Sequence, residues 1–87
     1  MAKCSFDVPF TGSASDLVVK LREKVEGADG TFNGDTSSGN YLVPTPLGKI
    51  EGTYKINAQI ISVVITKKPI VISCHAIETF VQKEIEQ

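Results

Sequence analysis

The sequence is short of the residues from which most catalytic and metal centres are built. It has one histidine, His75, and two cysteines, Cys4 and Cys74, which lie near opposite ends of the chain. Zinc sites need clustered ligands at short spacings, and no such cluster is present. Charge of one sign is also lacking. Nine basic residues stand against ten acidic ones, for a formal net charge of −1. That removes the basic face with which nucleic-acid binders neutralise phosphates, and it argues against attachment to anionic lipid by charge alone. Long apolar runs are missing as well. The longest, Ile60 to Ile65, is interrupted by Ser62 and is far too short to span a bilayer. Met1-Ala2-Lys3 leads into Cys4-Ser5-Phe6-Asp7 without the apolar core of a secretory leader, so the expected location is cytoplasmic. In that setting Cys4 and Cys74 are expected to be reduced, small, buried hydrophobes.

What is present is the composition of one small soluble domain spanning residues 1–87. At 41% hydrophobic and 22% charged residues it is neither disordered nor fibrous. A chain of this length buries about 60–65% of its unfolded surface, so it needs good packing or a partner copy.

The most strongly patterned stretch is Gly48 to Lys67, GKIEGTYKINAQIISVVITK. Ile50, Gly52, Tyr54 and Ile56 alternate with Glu51, Thr53 and Lys55, the period of a strand with one buried face. Asn57-Ala58 breaks the pattern, and Asn tolerates positive φ in a two-residue turn. This predicts a hairpin in which Ile56 faces Gln59, Tyr54 faces Ile61, Gly52 faces Val63 and Ile50 faces Ile65. Gly52 marks a bend, and a curved sheet that grips a helix is one way a small protein makes an apolar cavity.

Cys4, Phe6, Val8 and Phe10 alternate in the same way, and Pro9 places that strand at an edge. Ser13 or Ser15 caps a helix from Asp16 to about Glu26, with Leu17, Val18, Leu21 and Val25 on one stripe and Gly27 as the left-handed stop. Thr31-Phe32-Asn33 forms a short strand, Asp35 to Gly39 a turn, and Asn40 to Pro44 a further strand with Tyr41 and Val43 on one face. After Pro69, Ile70-Val71-Ile72 is either extended or a buried lead-in to a last helix. Ser73 caps that helix, and Ile77, Phe80, Val81 and Ile85 form its apolar stripe. The order β-α-β-β-β-β-α gives an α+β fold, an antiparallel β-sheet with two helices on one face.

Among candidate sites, the loop DGTFNGDTSSG from Asp29 resembles a calcium loop, but its twelfth position is Asn40 rather than glutamate. It also lacks the lysine of a phosphate loop. Cys74 and His75 are adjacent and therefore point apart. Glu78, one turn on, is the only carboxylate placed to orient the ring, and the surrounding aliphatics favour a neutral thiol, so neither residue is read as catalytic. Tyr41 and Tyr54 fall on one sheet face, where they form structural hydrogen bonds or orient an apolar ligand in a cavity completed by Phe80. On the opposite face Ile60 and Val64 stand among polar residues, and they matter only if the apolar surface continues into a neighbouring strand.

Gly34-Asp35, the strand Gly48 to Ile56, the strand Ile61 to Ile65 and the closing helix from Ile77-Glu78 through Ile85 together resemble the polyhydroxyalkanoic acid system (granule-region) protein family. The likeness covers nearly the whole chain as a pattern of strands, glycines and aliphatics. It implies a small bacterial protein of this fold near a hydrophobic polyhydroxyalkanoate granule, and it brings no catalytic residue and no cofactor.

Two function classes follow. One is a non-enzymatic module that binds an apolar ligand or associates with a hydrophobic granule or partner. The other is a structural domain that self-associates, as a homodimer for example, without a ligand. An enclosed apolar cavity of about 300 Å³ or more favours the first; a tight core with an apolar outer sheet face favours the second. The helical stripe also makes Phe80 a core residue, whose replacement by Ala would cost about 3–5 kcal/mol.

Overall fold

The computed structural model of the protein describes residues 3–86. Its elements are β1 (Cys4–Pro9), α1 (Ala14–Gly27), β2 (Thr31–Gly34), β3 (Ser38–Thr45), β4 (Gly48–Asn57), β5 (Ile60–Lys67) and α2 (Cys74–Glu86). The five strands form one antiparallel sheet in the order β1-β5-β4-β3-β2. Both edges follow from that order. β1, carrying Pro9, pairs only with β5, and β2 pairs only with β3.

Helix α1 carries the chain from one edge of the sheet to the other. Its 14 residues span about 21 Å, close to the ~19 Å across five strands at their usual spacing. A three-turn crossing is thus the right length to set β2 at the far edge, from which β2 to β5 meander back to β1. Ser13 caps the helix by accepting a hydrogen bond from Asp16 N at 3.0 Å. Its end differs from the expectation. Gly27 stays helical, Ala28 closes the last turn, and Asp29 takes the left-handed conformation at φ 64°. Aspartate tolerates this position because its short polar side chain can bond locally.

The β4–β5 hairpin forms in the predicted stretch, but two residues out of the predicted register. Asn57 is paired with Ile60, Ile56 with Ile61, Tyr54 with Val63 and Gly52 with Ile65. The turn residues are therefore Ala58-Gln59. Ala58, not Asn57, adopts positive φ, at 56°. A shift of two leaves every side chain on its expected face, so the hydrophobic pattern is satisfied equally by both pairings. What selects the observed one is Gln59, whose side-chain amide donates to Phe10 O at 2.9 Å and Gly12 O at 3.1 Å. Those bonds tie the turn to the loop before α1. A bulge between Glu51 and Gly52 then shifts the register again near the start of β4. Because alanine at positive φ carries a penalty of about 1 kcal/mol that glycine does not, Ala58→Gly is expected to raise stability by several tenths of a kcal/mol in chemical denaturation. A loss of stability would show that Ala58 makes contacts the backbone argument ignores.

The core is aliphatic and lies on the helix-covered face. Val8, Ile61, Ile65 and Tyr54 are each exposed by 2% or less, and Cys4, Phe10, Leu17, Val18, Phe32, Val63, Ile77 and Ile85 complete it. Each fully buried aliphatic contributes roughly 1.5–3 kcal/mol. The opposite sheet face is mostly polar, with Ile60, Leu42 and Val64 only partly covered among Ser, Thr, Asp, Asn, Lys and Glu.

Two expectations fail around α2. Ile70-Val71-Ile72 is neither extended nor a buried lead-in: Pro69 to Ile72 form a turn, Ile72 alone packs on the core, and Ile70 and Val71 face outward. Cys4 and Cys74 are not reduced thiols; they form a disulfide, with α-carbons 5.6 Å apart, between the first residue of β1 and the first residue of α2. The sheet order explains this. β1 lies beside β5, and the short connection after β5 starts α2 over the beginning of β1, although the two cysteines are remote in sequence.

Candidate functional site

The glycines and tyrosines of β3 and β4 build the floor of the site. Gly39-Asn40-Tyr41 on β3 lies antiparallel to Gly52-Thr53-Tyr54 on β4, so Tyr41 is paired with Gly52 and Tyr54 with Gly39. Each ring leans across the opposite glycine. Tyr41 passes over Gly52 and its hydroxyl donates to Val64 O of β5 at 3.1 Å. Tyr54 passes over Gly39 and the facing Gly34, and its hydroxyl donates to Asp35 O at 2.7 Å. The motif is legible in hindsight as the repeated Gly-x-Tyr of residues 39–41 and 52–54, which reading strand by strand does not connect.

Both hydroxyls are thus directed to backbone carbonyls and away from the space above the sheet. Burial raises the pKa of Tyr41 well above the ordinary phenol range. Burial, then the Asp35 charge, raises that of Tyr54, with Arg22 opposing. The fold therefore holds both phenols protonated, a stabilisation present below the unfolded pKa of about 10 and lost as pH rises through the folded values. These are the chain's only tyrosines, so phenolate absorbance reports on them alone. It is expected to stay flat past pH ~10 and then rise together with loss of the circular dichroism signal. Independent titration near the ordinary phenol value of about 10 with the fold intact would contradict the arrangement.

Phe32 of β2 stacks on Tyr54 with ring centroids 5.5 Å apart, and the Arg22 guanidinium sits 5.5 Å from the Phe32 centroid on its way to Gly34 O. The turn beyond is shaped by Asp35, whose carboxylate accepts from Ser37 N at 2.8 Å and Ser38 N at 3.1 Å. Those bonds hold its pKa below the usual value. Among the described residues no group of three acidic, histidine or cysteine side chains converges as metal ligands.

Above this floor α1 packs toward β2 and β3 while α2 packs toward β1. A gap remains over the centre of the sheet, an apolar cavity of about 170 Å³. Tyr41, Tyr54, Ile61, Val63 and Ile65 floor it, Leu21 and Val25 wall it from α1, and Ile77, Val81 and Ile85 from α2. Tyr41, Tyr54 and Phe80, the three residues singled out in the sequence, are brought together here. Phe80, however, is not core. It is 62% exposed at the rim, because the helix rotates Ile77, Val81 and Ile85 inward and leaves Phe80 at the edge of the stripe. Phe80→Ala is accordingly expected to cost about 1 kcal/mol or less rather than the amount for a core residue, measurable as a small shift in melting temperature.

Among the described residues the charged lining groups are Lys24 of α1 and Glu84 of α2, which meet across the mouth with Nζ 3.1 Å from Oε2. The contact is an ion pair without hydrogen-bond geometry, since Glu84 Oε2 is buried and has no hydrogen-bond partner. Elsewhere, His75 lies exposed at the start of α2, and Cys74, joined to Cys4, offers no thiol. Glu78 accepts from Gln82 Nε2 at 3.2 Å. No helix among the described residues is long and apolar enough to cross a membrane. Comparison with known proteins finds no family model, no curated protein and no solved structure that matches the chain.

Proposed function

We propose that the protein is a non-enzymatic binding module that takes a small apolar molecule, or the apolar end of a larger one, into the cavity between sheet and helices. The observation that carries this reading is a cavity floor with two tyrosines whose hydroxyls are both turned to backbone carbonyls. A pocket meant for a polar substrate would aim such groups inward. Its volume of about 170 Å³ is smaller than the threshold set from the sequence, and it suits a single ring or a short alkyl segment. Protein cavities of ~150 Å³ lined by aliphatics stay dry and admit benzene. The alternative, self-association through the outer sheet face, has less support because that face carries no continuous apolar surface. A cytoplasmic setting, the granule association implied by the family resemblance, and the absence of any nucleic-acid partner belong to the same proposal. In the cytoplasm, where such bonds are rare, the Cys4–Cys74 bond would have to withstand the reducing pool, because it fixes the α2 wall of the cavity.

Methyl-resolved NMR with benzene and hexane as probes tests the reading, with glycerol as the polar control. Saturable shifts confined to Ile61, Val63, Ile65, Ile77 and Val81 are expected from the apolar probes only. Phe80→Ala should alter their affinity more than it alters the melt. If neither probe gives a saturable shift, the cavity is a packing gap and the proposal fails.

A further inference from the structure

A second feature, independent of the cavity, lies at the end of the sheet where β3 turns into β4 and β5 leads to α2. Turns ordinarily place Gly, Asn, Asp, Ser or Pro at their corners. Here three of the four corners are aliphatic, the fourth being Pro46. Leu47 is 63% exposed in the turn between Thr45 and Gly48, and Ile70 and Val71 are 96% and 74% exposed in the turn from Pro69 to Ile72. The two turns touch: a β-carbon built on Gly48 would lie 3.1 Å from Pro69 Cγ. Both are held rigidly. Thr45 Oγ1 donates to Gly48 O at 2.6 Å and accepts from Leu47 N at 3.1 Å. Ile72 N donates to Pro69 O at 3.2 Å, and Lys68 Nζ donates to Ile72 O at 2.7 Å. The aliphatics are therefore displayed by built turns that could have used polar corners at no loss to the core.

Lysines surround this tip. Lys49 follows Gly48, Lys67 ends β5, and Lys3 precedes β1, its N–H donating to Ile65 O at 2.7 Å; all three are exposed residues. Glu51, whose carboxylate is 3.9 Å from Lys67, is the only acidic residue on residues 45–51 and 66–73. In a chain of net charge −1 this end is locally cationic.

We infer that this tip docks on a bilayer surface bearing anionic headgroups, with Leu47, Ile70 and Val71 entering the interface and Lys3, Lys49 and Lys67 pairing with phosphates. Leu47, Ile70 and Val71 are displayed on exposed turns and do not line the cavity between sheet and helices. The tip therefore suits insertion into a deformable surface rather than reception of a peptide, and the cationic rim supplies the charge complementarity. Each lysine close to such a surface strengthens binding severalfold, and the aliphatics supply the remainder.

Co-sedimentation of the full chain with vesicles tests this, using equal parts phosphatidylcholine and phosphatidylglycerol against phosphatidylcholine alone. The chain is expected to bind the anionic vesicles, with binding weakened by salt. Ile70→Ser with Val71→Ser, and separately Lys49→Glu with Lys67→Glu, should each reduce it by about tenfold or more while leaving the melting temperature within a few degrees. No binding by the parent chain, or equal binding by either variant pair, would overturn the inference. So would concentration-dependent dimerisation abolished by the serine pair without vesicle binding, which would assign the tip to a second copy instead.

Discussion

Reducing the disulfide is expected to lower stability by about 4 kcal/mol, the loop-closure figure for a bond spanning 70 residues of sequence. In a chain this short, each kcal/mol moves the midpoint by about 4–8 °C, so the melt should fall by roughly 15–30 °C. Total stabilities of small domains begin near ~5 kcal/mol, which places the reduced protein close to the limit of folding. The bond also anchors the N-terminus of α2 to β1, so its loss should first free that helix and with it one wall of the cavity. Thermal denaturation with and without reductant, repeated on a Cys4→Ala, Cys74→Ala double variant, measures both effects. Melts that agree within a few degrees would mean that core packing alone holds α2 in place. Alkylation of free thiols in freshly lysed cells would report, independently, whether the pair is closed where the protein works.

Gly52→Ala is expected to be nearly as damaging, at about 3 kcal/mol or more. A β-carbon there would collide with Val64 O on β5 and with the Tyr41 hydroxyl. Both atoms belong to the hydrogen bond that pins Tyr41, so the substitution adds overpacking of about 1–3 kcal/mol to a broken buried bond of about 1 kcal/mol. Val64 O is sheet backbone and cannot retreat cheaply, and the Tyr41 ring could swing into the cavity above it only by giving up its hydrogen bond to that oxygen. Gly27→Ala provides the contrast. It lies in α1, and nothing stands within 4 Å of its would-be β-carbon, so the same chemical change should stabilise by up to about 1 kcal/mol. Denaturant titration of the two variants should give opposite signs. A Gly52→Ala protein as stable as its parent would show that the Tyr41 ring is not committed to the pose described.

The strand faces, the caps at Ser13 and Ser73 and the β-α-β-β-β-β-α order were legible because each rests on local chemistry: alternation, a hydroxyl before an apolar run, glycine at a turn. The register of β4 against β5 was not, because a two-residue shift preserves every face, and the deciding bonds from Gln59 reach a loop 47 and 49 positions away. Phe80 illustrates a similar limit. Spacing placed it on a stripe, but the stripe is wider than the part of the helix that sheet and neighbours can cover. The cysteines were misread for a different reason: proximity between residues 4 and 74 is a property of sheet order, and nothing in their own neighbourhoods encodes it. Alternation puts Tyr41 and Tyr54 on one sheet face, but their reliance on facing glycines appears only in the pairing of β3 with β4.

That pairing has a kinetic side. While β3 and β4 search for one another, shifts of two residues are the dangerous errors, because they keep apolar side chains inward and go unpunished by burial. One such shift would set Tyr41 against Tyr54; the other would set Gly39 against Gly52 and leave both rings without a groove. Only the native alignment gives each ring a partner with no side chain. Reciprocal glycine and tyrosine therefore single out one alignment of β3 on β4 where burial alone cannot choose.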